Sequence, residues 1–443
     1  MNVLIIDTDR CGLDFACRCV ERGHKVKWFR PTAKPVRDGE GFPGVEIVKR
    51  WQDHMKWAKD GLVITTANNK HLKELDRWRE FGSPIFAPTF ASAQLEINRK
   101  AGMDLMKSKG MNIADFKTFD SLKSARAHVM KTEQAFVFKT LGDEEDKSLS
   151  FVASDPAQMV EWIDQKIAAG MTLKGPCMLQ EKIEMVAEIG VAGWMGKDGF
   201  IDGKFELSWE HKKLMPDNFG PNTGEQGTVC HYVKQDKLSD ILKSFEADLV
   251  KLGHTGDINI NGGLDAKGEY WPFEWTCRAG WPDFYIRTAM HQGDPAKWMR
   301  DALLGKDSLK VSYDPHIGVV CAQPPYPYED GTPDQVEGNP VFGLEEVWEH
   351  THPAQLMISP GYAMEGDKIK KRSIFRTTGP YVLVVTGNGK TVKAARESVY
   401  GVVDKIKLPN MIVRNDVGAG LEKQLPILHK LGYAKTTTFD ITS

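Results

Sequence analysis

Around residue 274 the chain reads PFEWTCR, and strand alternation sets Glu274, Thr276 and Arg278 on one face. A carboxylate, a hydroxyl and a guanidinium then line up at strand spacing, an arrangement that is costly to bury without a partner. Asn261 ends the run DININ and is separated from Glu274 by a turn at AKGE, so a second oxygen ligand can come from the neighbouring strand. Such oxygens suit Mg²⁺, which takes one or two protein ligands and fills its shell with phosphate oxygens and water. A solvated outer strand face is the plainer alternative.

A second stretch, EHKKLMPDNFGPNTGEQGT, runs from Glu210 to Thr228. Gly220, Pro221, Gly224 and Gly227 let backbone approach a ligand closely, and successive amides in such a turn form an anion-binding nest beside Lys212 and Lys213. An exposed loop with solvated lysines has the same composition. Dispersed cations complete the set: Arg99, Lys139 inside the apolar run FVFKT, and Lys147 in GDEEDKSLS. A lysine within an apolar strand either edges out to water or meets an anion.

Taken in order, these segments resemble the glycinamide ribonucleotide synthetases (phosphoribosylamine–glycine ligases) of the ATP-grasp superfamily. FAPTFASAQLEINRK is similar to their FGPTxxAAxLExSK, FVFKT to VVKAD, and EHKK followed by GPNTGEQG to DHKR followed by GPNTGGMG. HTGDININGGLDAKGEYWPFEWTCRAGWPD resembles YTGxLYAGLM and VxEFNCRFGDPE, while YVLVVTGNGKTVKAARESVY and RNDVG resemble RVLxVTAxGxTxxEAxxxAY and RxDIG.

The resemblance implies an ATP-dependent ligase that activates a carboxylate as an acyl phosphate and passes it to an amine. Phosphoryl transfer asks mainly for alignment and charge neutralisation, so the implied cofactors are ATP and Mg²⁺, with Mn²⁺ as an alternative ion. It places Arg99, Lys139, Lys147, Glu181 and Glu188 around the nucleotide, Arg99 standing where the family has lysine. Glu274, Thr276 and Asn261 become metal ligands, Thr276 replacing a family asparagine. Glu274 and Arg278 are the catalytic pair, Arg278 neutralising the acyl phosphate. Glu210, His211, Lys212, Pro221, Asn222, Thr223 and Gly224 hold the substrate anions.

Three segments depart from the family. Its phosphate-binding GNGGREHA turn is DTDRCGLDFA here, its GPE is TTANN, and its glycine-rich lid is the acidic GDEEDKSLS. Asp7 and Asp9 thus stand near the place where a ribose phosphate docks; if they face the cleft they suit a cationic or hydroxylated amine. Three readings stay open: a ligase joining glycine or another amino acid to an amine other than, or additional to, phosphoribosylamine, the purine-pathway synthetase itself, or a nucleotide-binding relative without turnover.

The elements that must position these residues follow from periodicity. Residues 1–90 alternate apolar runs (NVLIID, KVKWF, GLVITT) with amphipathic ones, which predicts a Rossmann-like parallel α/β sheet. ASAQLEINRKAGMDLMKSKG predicts one helix, and DPAQMVEWIDQKIAAG predicts another between Asp155-Pro156 and Gly170. The expected organisation is an N-terminal domain over 1–90, an ATP-grasp domain over 91–317 with a lid at about 115–190, and a C-terminal α+β domain over 318–443. A formal charge of -2 gives no basic excess to attract nucleic acid, so no nucleic-acid partner is expected. No run is apolar for long enough to span a membrane, and the start lacks a signal peptide's pattern, so the expected location is cytoplasmic. The partners expected are small molecules, an amino acid such as glycine and an amine, for a monomer or small homo-oligomer. Seven cysteines without a CxxC pair predict reduced thiols and no zinc.

Overall fold

The opening run NVLII forms β1 (Asn2–Ile6), the centre of a five-stranded sheet in a computed structural model that describes residues 1–30, 36–67, 70–141, 150–173, 175–328 and 336–440. The chain divides into two units. One comprises Met1–Ser92, Gly190–Asn259 and Thr276–Ser443, the other Ala93–Ile189 and Ile260–Trp275.

In the first unit β1 is flanked by β2 (Lys25–Phe29) and by the strand Leu62–Thr65, here β4; β3 (Val45–Val48) and β5 (Ile85–Phe86) are the edges. The order is β3-β2-β1-β4-β5 and every pairing is parallel, with Ile5 opposite both Trp28 and Ile64. Parallel strands covered on both faces read as unbroken apolar runs, and Val3 to Ile6 are accordingly inaccessible. Helix Leu13–Glu21 packs on the sheet through Leu13, Phe15, Ala16 and Cys19. The direction of travel reverses between β1 and β4, and in open α/β sheets ligands bind beyond the carboxyl ends of strands at such a point.

The same unit holds an antiparallel ladder. Strands Gly199–Lys213 and Asn222–Val233 form a long hairpin, paired onward to His316–Ala322, Tyr381–Asn388 and Thr351–Pro353. Helix Asp283–Met290 sets Ile286 against this sheet at Gly318, where a side chain would collide with it. Helix Val392–Val403 is capped by Thr391, whose hydroxyl accepts the Ala394 amide at 3.2 Å.

In the second unit four antiparallel strands run in the order Phe116–Phe119, Cys177–Glu181, Phe136–Thr140, Phe151–Val152. Phe136, Phe138, Cys177 and Leu179 meet the helices Leu122–Val129 and Pro156–Ala168 on one face. Asp155 caps the second of these helices and proline fills its first turn, as the sequence predicts. The other face carries Lys139 and Gln180, whose strands pair Val137 with Gln180 and Lys139 with Met178. The single helix expected across 91–110 is instead two, Phe90–Ile97 and Arg99–Ser108. Asn98 breaks it by accepting the Ala101 amide with its side chain at 3.2 Å, the alternative that asparagine offers to helical continuation.

Candidate active site

Strand Tyr270–Thr276 follows Gly256–Leu264 after a turn in which Asp265 accepts the amides of Lys267 and Glu269 at 2.8 and 3.0 Å. This hairpin presents Glu274, whose carboxylate lies 3.2 Å from the Arg99 guanidinium at the first turn of helix Arg99–Ser108. Leu95, Met103, Met106, Phe273 and Trp275 line a small cavity around the pair, and the Arg99 side chain is only 9% exposed. The residue expected at the nucleotide phosphates and the residue expected to bind the metal are therefore in contact. Lys139 donates to the Gln180 side-chain oxygen at 3.1 Å, so Gln180, which the sequence reading omits, orients it. Glu181 is half-buried at the end of its strand and Glu188 is exposed; Lys147 lies outside the described residues.

Asn261 is buried on Gly256–Leu264, the strand next to that of Glu274, and Thr276 is buried at the end of the latter. Asn259, on the same face as Asn261, has a buried side-chain oxygen without a hydrogen-bond partner among the described residues. Carboxylate, amide and hydroxyl oxygens are the donor set that Mg²⁺ takes, so the residues present fit that ion. Asn259 was legible as the middle of D-x-N-x-N, one alternation before Asn261.

In the first unit Arg278 borders a cavity at the carboxyl ends of β1 and β4, with Gly12, Thr65, Thr66, Phe86 and Trp281 around it. Asp7 leaves the end of β1 and turns inward. It is inaccessible, and its carboxylate accepts the Gly12 amide at 2.7 Å, the Thr66 hydroxyl at 2.8 Å, the Asp9 amide at 3.0 Å and the Trp28 indole at 3.1 Å. Burial pushes its pKa up while these donors pull it down. Gly12 immediately precedes helix Leu13–Glu21, so Asp7 occupies the position at the helix N-terminus where an anionic ligand would otherwise be drawn. A side chain at Gly12 would meet Asp7 at 3.0 Å. The condition under which the aspartates would suit an amine, that they face the cleft, is therefore not met by Asp7, which is bonded to Gly12, Thr66, Asp9 and Trp28. Asp9 is exposed, although the protein crowded around it and then Asp7 push its pKa to about 6, against the pull of Arg278; access follows the exposure and the pKa follows the crowding. Arg10 forms a two-pronged pair with Asp38 at 2.7 and 2.8 Å, so this cation of the altered turn is already engaged.

The Glu210–Thr228 stretch spans the end of the long hairpin. Its register jumps: His211 pairs with Gly227, but Lys213 pairs with Asn222, so Thr223, Gly224, Glu225 and Gln226 all stand against Lys212. A bulge of this kind lifts backbone out of the ladder and re-aims side chains. Lys212 and Glu210 pair at 3.0 Å, the Thr223 hydroxyl donates to the Lys212 carbonyl at 2.8 Å, the Pro221 carbonyl accepts the Leu214 amide at 3.1 Å, and Gly224 is exposed. His211 belongs to the scaffold. One ring nitrogen bonds the Trp209 carbonyl and the other accepts the Gly418 amide at 3.1 Å, and burial lowers its pKa to about 4. Arg414, in RNDVG, donates to the Lys213 carbonyl and to Asn218 at 2.9 Å each, clamping a turn whose Asp217, Asn218 and Gly220 have φ of 56°, 58° and 79°.

Residues 316–420 match the family model "Phosphoribosylglycinamide synthetase, C domain". The phosphoribosylamine–glycine ligase of Ralstonia nicotianae is 28% identical over 364 residues, which cover 78% of this chain and 80% of that protein. The one from Vibrio cholerae is 26% identical over 359 residues, covering 78% and 79%. Over most of its length this chain is similar to phosphoribosylamine–glycine ligases. Among solved structures, the Thermotoga maritima phosphoribosylamine–glycine ligase superposes with a TM-score of 0.68 at 19% identity, over 94% of this chain and 100% of that one. An L-amino acid ligase from Bacillus licheniformis gives 0.57 at 16% identity, over 92% and 98%. The fold is α/β of the ATP-grasp type, and the curated relatives support an ATP-dependent ligase forming a carbon–nitrogen bond. No helix among the described residues is long and apolar enough to cross a membrane.

Proposed function

We propose that the protein is an ATP-dependent carboxylate–amine ligase whose amine acceptor carries no phosphate at its docking end. The terminal phosphoryl group of ATP passes to a carboxylate oxygen of an amino acid, giving an acyl phosphate and ADP. The amine then attacks the acyl carbon, its excess proton leaves to solvent, and phosphate departs as the amide forms. Lys139, oriented by Gln180, and Arg99 hold the nucleotide phosphates, with Glu181 and Glu188 toward its adenosine end. Glu274, Asn261 and Thr276 would hold Mg²⁺, which supplies charge neutralisation across the phosphates when bound. Arg278 neutralises the acyl phosphate. Lys212 and the amides from Gly220 to Gly227 receive the substrate carboxylate.

The observation that carries the change of acceptor is the Asp7 carboxylate on the Gly12 amide at 2.7 Å. Where a phosphate would sit against the helix N-terminus, the chain supplies its own anion. The relatives favour the other reading, in which the acceptor is phosphoribosylamine. ADP release with glycine and other amino acids, each offered phosphoribosylamine and a panel of unphosphorylated amines, separates the two. Turnover with an unphosphorylated amine supports the proposal, and turnover confined to phosphoribosylamine overturns it. The small-molecule partners and a cytoplasmic setting belong to the same reading.

A further inference from the structure

The bulge that faces Lys212 carries Glu225 and Gln226, and neither is explained by the scaffold. Glu225 is 6% exposed, yet one of its carboxylate oxygens is buried without a hydrogen-bond partner among the described residues; Gln226 is inaccessible, and among the same residues neither end of its amide makes a well-formed hydrogen bond. The hydroxyls of Thr228 and Tyr381 are buried in the same condition. The Tyr326 hydroxyl reaches the Glu225 carbonyl at 3.5 Å, and its ring stands 6.0 Å from that of Tyr381. Protein interiors rarely leave polar groups unpaired, and a cluster of them is either wet or shaped for a ligand. Charge decides what kind of ligand. Burial raises the Glu225 pKa, the nearby carboxylates Glu210 and Asp283 raise it further, and Lys212 is the cation that lowers it. Lys212 is itself paired with Glu210. The site is short of positive charge.

We propose that Glu225 receives the α-ammonium group of the amino acid whose carboxylate is activated, with Gln226 and the Tyr326 and Tyr381 hydroxyls completing the polar wall around it. The inference rests on the ligase reading and names the substrate feature that this part of the site selects. Its geometry follows from chain position. The backbone proposed to hold the substrate carboxylate, Gly220 to Gly227, includes Gly224, the residue before Glu225, in the bulge opposite Lys212. In an α-amino acid the carboxylate and ammonium are likewise separated by a single carbon, so neighbouring positions on one bulge can bind both.

The test compares an amino acid with its deamino analogue, the same carboxylic acid lacking the amine, in ADP release with the best acceptor amine. The wild-type protein should prefer the amino acid by at least about a hundredfold in kcat/KM, the scale of one buried charge contact. Glu225→Gln should reduce that preference to a few-fold, chiefly through KM for the amino acid, while KM for ATP is unchanged. Turnover in which the wild type treats both compounds alike would overturn the inference whether or not Glu225→Gln folds, as would full preference retained by a folded Glu225→Gln. Absence of ADP release with every carboxylate and amine would instead remove the ligase reading beneath it.

Discussion

The Asp7 carboxylate accepts the Gly12 amide at 2.7 Å, so the mouth of the parallel sheet is closed by an internal anion at the N-terminus of its first helix. Replacing Asp7 by alanine strands the Thr66 hydroxyl, the Trp28 indole and the Gly12 amide. An unsatisfied buried donor costs about 1–3 kcal/mol, so Asp7→Ala should lose on the order of 3 kcal/mol or more of stability in denaturant unfolding. Unchanged stability with a raised KM for the amine would mean that Asp7 faces the substrate instead.

Asp9 is the exposed partner of that turn, and its pKa of about 6 makes it a titrating group near neutrality. It is charged above that pH. Affinity for a cationic acceptor should therefore rise as pH increases through about 6, and the dependence should flatten in Asp9→Asn. An identical pH profile for the two proteins in amine KM would remove Asp9 from the acceptor site.

Glu274 and Arg99 meet at 3.2 Å, which couples the proposed metal ligand to a proposed phosphate contact. Glu274→Ala should lower turnover at least about a hundredfold, as expected for losing one preorganised charge contact. Thr276→Asn adds a better oxygen donor and should lower the Mg²⁺ concentration needed for half-maximal rate. Near-normal turnover of Glu274→Ala at limiting Mg²⁺ would contradict both assignments.

Lys139→Met keeps the aliphatic stem and deletes the charge that Gln180 orients. Calorimetric titration should show ATP affinity reduced by roughly tenfold or more, the scale of a contact to a charged group. Equal affinity would leave Lys139 as a solvated strand residue.

His211 should remain neutral well below the usual imidazole range. Its ring accepts the Gly418 amide, and protonation would turn that acceptor into a donor. With a folded pKa of about 4 and an unfolded one near 6.5, the unfolded state binds the proton first. This group's contribution to stability is intact above about pH 6.5 and declines as pH falls toward 4. Nitrogen chemical shifts of His211 that titrate near 6.5 in the folded protein would contradict the scaffold role.

What the sequence made legible is whatever rests on local periodicity. The unbroken apolar runs of NVLII and LVIT announce central parallel strands, and Asp155-Pro156 announces a helix start. Asn98 was visible too, but its power to split a helix depends on its side chain turning back to Ala101. The rest depends on long-range partners. Nothing near Asp7 says that Thr66 and Trp28 will converge on it, and Arg414 reaches Asn218 across 196 residues of chain. The register jump that sets Thr223 to Gln226 against Lys212 is invisible because GPNTGEQG reads equally well as an open loop. Gln180 is not legible in the sequence because an amide in a strand carries no charge signal until its register with Lys139 is known.

The central claim is tested most directly by amide formation followed alongside ADP release, with an amino acid and matched acceptors that differ in carrying or lacking a phosphate. The account predicts one ADP released per amide formed with an unphosphorylated amine, and little product with phosphoribosylamine. Robust formation of glycinamide ribonucleotide by the wild-type protein, unaffected by Asp7→Asn and Asp9→Asn, would contradict it.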